Sequence, residues 1–201
     1  MLRNRRHPIY NDIMNAGELM LRQHGIQRAS LADVARLLKY KPLQLNLFFG
    51  AREFLWEAII ARRLEEIVTC LSLTSNGEDN RTAVGRLCAA LDNLVRESRV
   101  FQRDDPMLFA AYRSLSQAQV QAVTQFQRKL TAHIEEIIAR GIQSHELARS
   151  DPWQASWATL NAIAPFYDPR FGRNWSARGE HSAYRHARAS VLKALVLVAD
   201  A

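Results

Sequence analysis

The chain has 201 residues, 48% of them apolar and 23% charged, with a formal charge of +7 and two cysteines. Those proportions suit one large folded domain, or one domain with a small attached module, and they exclude a disordered chain. No eighteen apolar residues run together, which excludes a spanning helix, and Cys70 and Cys88 form no CxxC pair that would suggest zinc or a disulfide framework.

The two cysteines read as buried thiols of a reducing compartment. The opening "MLRNRRHPIY" is basic but lacks the apolar stretch of a secretory signal, so the expected location is the cytoplasm, with no membrane partner. The charge is unevenly placed. Residues 1 to 52 carry nine basic side chains (Arg3, Arg5, Arg6, Arg22, Arg28, Arg36, Lys39, Lys41, Arg52) against three acidic ones (Asp12, Glu18, Asp33). The other 149 residues hold 18 basic and 17 acidic groups, so nearly all the excess lies in the first quarter, where a polyanion would bind. A basic face that merely solvates the protein is the plainer alternative, and the motif must decide.

In chain order, the spacing predicts helices throughout, and no stretch alternates with period two. From Pro8 a helix runs to His24 with Ile9, Ile13, Ala16, Met20 and Leu21 on one face, and Gly25 stops it. Ser30-Leu31-Ala32-Asp33 has the form of a capping box, so a second helix starts at Leu31, turns Leu31, Val34, Ala35 and Leu38 inward, and ends near Lys39. Pro42 opens a third, short helix that closes at Gly50. Longer helices are expected at 52 to 73, 81 to 99, 106 to 115 and 116 to 144, with Asp105-Pro106 and Ser116-x-x-Gln119 as start signals. "TSNGEDN" (74 to 80) reads as a loop. Asp151-Pro152 starts a helix ending near Phe166, "YDPRFGRNWSARGE" (167 to 180) is a long loop, and a last helix spans His181 to Ala199. The fold class is all-α with about nine helices: a three-helix unit at 1–51 and a larger helical bundle at 52–201.

The third helix carries the functional signal. Leu45, Phe48 and Phe49 fall at i, i+3 and i+4 and share the buried face. Pro42, Leu43, Gln44, Asn46 and Leu47 are left on the other side, where an ordinary surface helix would place Glu, Lys and Arg. The two amides can read an adenine edge and the leucines suit thymine methyls, while Lys39, Lys41 and Arg52 can meet phosphates. That is the composition of a recognition helix in a helix-turn-helix, unless the leucines pack on the larger domain instead.

The segment "IMNAGELMLRQHGIQRASLADVARLLKYKPLQLNLFFGAREFLWEAI" resembles the DNA-binding region of the TetR family of bacterial transcriptional regulators. The likeness covers about fifty residues without a gap: Gly25 after helix one, Ser30 capping "LADVA", Leu45 with Phe48-Phe49 in helix three, then Arg52, Glu53 and Leu55. It implies contacts with double-stranded DNA from Arg28, Ser30, Lys39, Lys41, Pro42, Leu43, Gln44, Asn46, Leu47 and Arg52. Three departures stand out. Lys39 occupies the turn position where the family commonly has glycine; Lys41-Pro42-Leu43 replaces Ser/Thr and a small residue; Asn46 replaces a phosphate-touching tyrosine. Either Lys39 bears strain or the turn differs.

The same resemblance implies that the second domain dimerises and holds a small-molecule effector whose occupancy changes the separation of two reading heads. Two recognition helices on successive groove faces need a two-fold axis, which makes the operator palindromic. In the last helix, Ala183, Ala187, Val191, Ala194, Leu195 and Val198 form a small-residue and aliphatic stripe suited to a homodimer interface, or to the core of one chain. Phe101, Phe109, Tyr112, Phe126, Trp153, Trp157, Phe166 and Tyr167 supply aromatic surface for an apolar or aromatic effector. Tyr167, Asp168, Arg170, Arg173 and Trp175 lie in or beside the long loop, a candidate lid or partner contact. No cofactor or metal is expected: His7, His24, His133, His145, His181 and His186 lack ligand spacing, and no GxGxxG, Walker loop or GxSxG is present. Enzymatic function is therefore not expected. The expected function is a ligand-responsive DNA-binding regulator, a repressor released by its effector; the alternative is a helical dimeric sensor of a ligand or protein that has lost operator reading.

Overall fold

The computed structural model describes residues 8–75, 82–175 and 179–196. Among them run nine α-helices and one 3-10 helix, with no strand, in keeping with the all-α reading. The helices are α1 (Pro8–Arg28), α2 (Leu31–Leu38), α3 (Pro42–Phe49), α4 (Arg52–Ser75), α5 (Ala83–Asp104), α6 (Pro106–Gln117), α7 (Gln121–Gln143), α8 (Pro152–Tyr167) and α9 (Glu180–Leu195). The 3-10 helix, Pro169–Asn174, lies between α8 and α9. Contacts group the chain into two compact units, residues 1–64 with 103–124 and residues 65–102 with 125–201.

The first unit contains α1 to α3 whole, so the expected 1–51 head lies inside it, together with the start of α4 and with α6. Its core takes Ile13, Met20 and Leu21 from α1, Val34 and Ala35 from α2, and Leu45 and Phe49 from α3, all on the expected faces; α4 adds Trp56, Ile60 and Leu64, whose helical spacing marks them in the sequence, together with Leu55 and Ile59, which it does not mark. α1 approaches α4 closely at Gly17, where a Cβ would stand 2.9 Å from Ile59 Cδ1 and 3.1 Å from Leu55 Cδ2. Tyr10 stacks on Phe49 with ring centroids 5.3 Å apart, joining α1 to α3. Asp105 caps α6 by accepting the Leu108 amide at 3.3 Å and also accepts Arg22 Nε of α1 at 2.6 Å.

Gly25 breaks α1 as expected, with φ 71° and ψ 167°, but a helical turn resumes beyond it to Arg28. One start signal misleads. Ser116 is not the cap of the next helix; it lies buried within α6, residues 118–120 turn with Gln119 at φ 49°, and α7 begins at Gln121. The first amides of α7 are satisfied from elsewhere, Glu57 Oε1 of α4 accepting the Ala122 N–H at 2.7 Å.

The second unit packs Leu87, Leu91, Leu94 and Phe101 of α5, Leu130, Ile134 and Ile138 of α7, Leu160 and Ile163 of α8 and Tyr184 of α9. Asp151 caps α8 through the Gln154 amide at 2.9 Å, as the Asp-Pro signal predicts. Part of the expected 167–180 loop, Pro169–Asn174, is a 3-10 helix, and residues 176–178 lie outside the described residues. Trp175 Nε1 donates to the Pro165 carbonyl at 2.7 Å and Gln102 Nε2 to the Gly172 carbonyl at 2.7 Å, pinning the 3-10 helix to α8 and α5. Most of the expected 74–80 loop falls outside the described residues, α4 continuing to Ser75, and so do residues 197–199 of the expected last helix.

Candidate nucleic-acid interface

α2 and α3 meet through a turn whose geometry is set by backbone hydrogen bonds. Lys39 adopts the left-handed conformation, φ 56° and ψ 32°, and its N–H reaches the Arg36 carbonyl at 3.2 Å. The Tyr40 N–H reaches back to Ala35 O at 2.9 Å. Together these close α2 as a Schellman motif with lysine in the place glycine usually takes. The turn has not changed, so the strain falls on Lys39; a side chain in this region costs roughly 1 to 2 kcal/mol.

At the other end of α2, Ser30 Oγ accepts the Asp33 N–H at 3.2 Å and donates to Asp33 Oδ2 at 2.5 Å. The carboxylate thus returns to the hydroxyl. That bond, with Arg36 alongside at 3.0 Å, holds the Asp33 carboxyl below the usual aspartate range. The Ser30 hydroxyl is committed on both sides within its own turn, which fits a residue that positions α2 rather than one that reaches out.

α3 is capped from one side only. Lys41 has no side-chain acceptor, so the Gln44 amide N–H meets the Lys41 carbonyl at 2.9 Å while Gln44 Oε1 accepts the Lys41 N–H at 2.9 Å. Leu45 is fully buried and Phe49 nearly so, with Phe48 half-buried beside them. The opposite face is exposed at Pro42, Leu43, Gln44, Asn46 and Leu47. Leu43 is 70% and Leu47 60% exposed, neither being part of the core of its own unit. Lys39, Lys41, Arg28 and Arg52 are also exposed around the head. Arg52 is partly occupied, donating to Glu53 Oε1 at 2.9 Å and to the Ala29 carbonyl at 3.5 Å. The sequence pattern left Phe54 unmarked; it is 61% exposed on α4, two residues beyond Arg52. Its only signal was a phenylalanine off the buried stripe of Leu55, Ile59 and Ile60.

The aromatic candidates divide. Phe109 and Tyr112 are buried in the first unit, edge to face at 6.1 Å; Phe101, Phe126 and Phe166 are buried in the second, and Tyr167 is half-buried there, where burial and then Asp168 push its phenol far above the usual range. Trp153 and Trp157 do not belong with them. They are 55% and 56% exposed, because α8 buries the stripe Ser156, Thr159, Leu160, Ile163 and Phe166 and turns both indoles outward. Within the α9 stripe, Val191 and Leu195 are buried in their own chain and so are not free for a partner; Ala183 and Ala194 are exposed, Ala187 is half-buried, and Val198 lies outside the described residues. Among the described residues no group of three or more His, Cys, Asp or Glu could hold a metal, and no helix is long and apolar enough to cross a membrane.

A helix-turn-helix head of this geometry, followed by a helical bundle, defines the class of a DNA-binding regulator. The tetracyclin repressor-like C-terminal domain family matches residues 83–186, over half of the chain, and the protein belongs to the TetR family of transcriptional regulators. No curated protein matches the sequence. Similar folds include SmeT, the repressor of the Stenotrophomonas maltophilia multidrug efflux pump SmeDEF, at 15% identity and a TM-score of 0.69, covering 94% of this chain and 91% of that one. NalD, the secondary repressor of the MexAB-OprM multidrug efflux pump in Pseudomonas aeruginosa, matches at 17% identity and a TM-score of 0.63, over 94% and 97% of the two chains. A transcriptional regulator from Cytophaga hutchinsonii matches at 15% identity and a TM-score of 0.71, over 94% and 100%. At such identities these likenesses concern the fold alone.

Proposed function

We propose that the protein is a ligand-responsive repressor that binds a palindromic operator as a homodimer and releases it when a small apolar or aromatic effector binds the helical domain. It works in the cytoplasm by binding, without a catalytic step. The observation that carries this reading is the outward face of α3: two exposed leucines and an exposed asparagine, with exposed Lys39 and Lys41 at the entrance of the helix and Arg52 beyond its end. A head that had lost operator reading has no need to keep Lys39 in a left-handed turn at an energetic cost, and this weighs against the sensor-only alternative.

The functional boundary remains at residues 51 and 52, the first part reading DNA and the second part sensing. Dimerisation is assigned to the outer faces of α8 and α9, which pack on each other and leave Trp153, Trp157, Ala158 and Ala194 exposed. The effector contacts are assigned within the second unit, to the buried aromatics Phe101, Phe126 and Phe166, with Tyr167. Selection of duplexes from a random pool, with affinity followed against salt, tests the reading. Recovery of a palindrome is the expected result; binding that is independent of sequence and steeply salt-dependent would overturn it in favour of the sensor.

A further inference from the structure

We propose that operator sequence is read chiefly through thymine 5-methyl groups packed against Leu43 and Leu47, with Asn46 as the base-reading amide and Gln44 as a positioning residue that holds the start of α3. This rests on the operator reading proposed above. Leu43, Asn46 and Leu47 stand at i, i+3 and i+4, so they form one continuous outward face of the helix. The leucines are the most exposed large apolar side chains of the helix, at 70% and 60%. In the major groove the apolar feature that distinguishes one base pair from another is the thymine methyl. Exposed Lys39 and Lys41 at the start of α3 and Arg52 beyond its end complement the phosphates along that groove, which commits the face to duplex DNA rather than to another protein.

The two amides are not equivalent. A backbone N–H can only donate, so the Gln44 atom facing the Lys41 amide at 2.9 Å is its carbonyl oxygen, and the side chain is folded back over the first turn. A bidentate adenine contact needs that oxygen to accept from N6 while the amide nitrogen donates to N7. One acceptor site of the Gln44 oxygen is already used in the cap, and its side chain is folded back over the first turn, so turning to a base edge would strain or break that bond. Asn46 is exposed, and its side-chain amide has no partner among the described residues, so it can present both atoms to a base edge.

The test takes the palindrome recovered by selection and replaces each thymine in turn with deoxyuridine, which removes only the methyl, and each adenine with 7-deazaadenine, which removes only N7. At one or two thymines per half-site the wild-type protein should lose affinity by about fourfold, the worth of one buried methyl-sized group. Leu43→Ala and Leu47→Ala, which remove exposed side chains, should bind thymine and uracil duplexes alike at the matching position. Sensitivity to 7-deazaadenine should vanish in Asn46→Ala and persist in Gln44→Ala, whose binding falls by a similar factor on operator and random DNA. Indifference of the wild type to uracil everywhere, or full uracil sensitivity in the Leu43→Ala, Leu47→Ala double variant, would overturn the methyl readout while leaving operator binding standing. Loss of 7-deazaadenine sensitivity in Gln44→Ala would overturn the division between the amides. A pool that yields no preferred sequence overturns this inference and the proposed function together.

Discussion

The Tyr184 hydroxyl of α9 donates to Asp92 Oδ1 of α5 at 2.6 Å, and Arg188, one turn further along α9, donates to Oδ2 of the same carboxylate. Tyr184 is buried and meets Phe166 edge to face at 5.4 Å, so the Asp92 carboxylate takes two bonds from α9 beside an aromatic pair, and Glu180 of α9 in turn pairs with Arg99 of α5. Burial first, and then the bond to Asp92, raise the phenol far above its ordinary value of 10. A group whose folded-state pKa is raised contributes stability that is whole below the unfolded pKa. That stability declines as pH climbs above it, because the unfolded chain ionises while the folded one resists. Unfolding free energy should therefore fall from about pH 10 upward. Tyr184→Phe should cost roughly 1.5 kcal/mol at neutral pH, the low end for a charged acceptor because Asp92 keeps Arg188, and should flatten the alkaline fall. Urea denaturation of both proteins from pH 7 to 11 checks this; parallel pH profiles would refute it.

Gly141 of α7 sits where a Cβ would come within 2.6 Å of Leu147 Cδ1 and 2.7 Å of Ala83 Cβ. The Ala83 Cβ has no torsion by which to withdraw, and the Ala83 N–H is bound to the Glu146 carboxylate, so α5 cannot easily slide away. Gly141→Ala should lower stability by about 1 to 2 kcal/mol, an overpacking cost that outweighs the gain in helix propensity. Thermal unfolding gives the answer, and a rise in melting temperature would show that the 141–147 turn can yield.

What the sequence disclosed was what depends on neighbours along the chain. The stripes of α1 to α4, the Ser30 and Asp151 caps and the Gly25 stop are all local, and each stands where its spacing places it. What it concealed depends on distant partners. Ser116 resembled a helix cap, yet α7 takes its capping acceptor from Glu57, 65 residues away in the chain. Trp153 and Trp157 looked like lining because aromatic residues favour interiors, but only the packing of α8 decides which of its faces is buried. Gln44 is a local exception: residue type suggests a base reader, while its side-chain oxygen accepts the Lys41 N–H three residues back, a bond that spacing alone does not reveal.

Lys39 makes opposing demands on stability and on binding. Its backbone is left-handed at φ 56°, which glycine adopts without steric cost, and its side chain is exposed beside the reading helix. Lys39→Gly should relieve strain and raise stability by about 0.5 to 1 kcal/mol, the gain being reduced by the greater freedom of glycine when unfolded. The same change should weaken binding to every duplex at low salt and reduce the salt slope by about one unit if the ammonium meets a phosphate. Denaturant unfolding and a salt titration on one preparation separate the two effects. Unchanged DNA affinity would remove Lys39 from the interface, and a loss of stability would mean that the lysine side chain contributes more to the turn than its strain costs.

Trp153 and Trp157, one helical turn apart on α8, expose more than half their surface, with Ala158 beside them and Ala194 exposed on the neighbouring α9. Indoles so placed are costly to leave in water, and tryptophan is enriched among the residues that dominate binding energy. Small residues around them allow two copies of the helix pair to approach closely, as a four-helix interface requires. Trp157→Glu should therefore convert the proposed dimer to monomer at micromolar concentration, since truncating an anchor of this kind costs about 2 kcal/mol or more and burying an unpaired carboxylate costs further. Unfolding of the monomeric variant should remain cooperative, because the indole lies outside the core of its own chain. Operator affinity should fall with dimerisation, as each head alone reads only one half-site. Sedimentation velocity and operator titration, run side by side on wild type, Trp153→Ala and Trp157→Glu, check the assignment. A Trp157→Glu protein that still sediments as a dimer would move the interface off this face of α8.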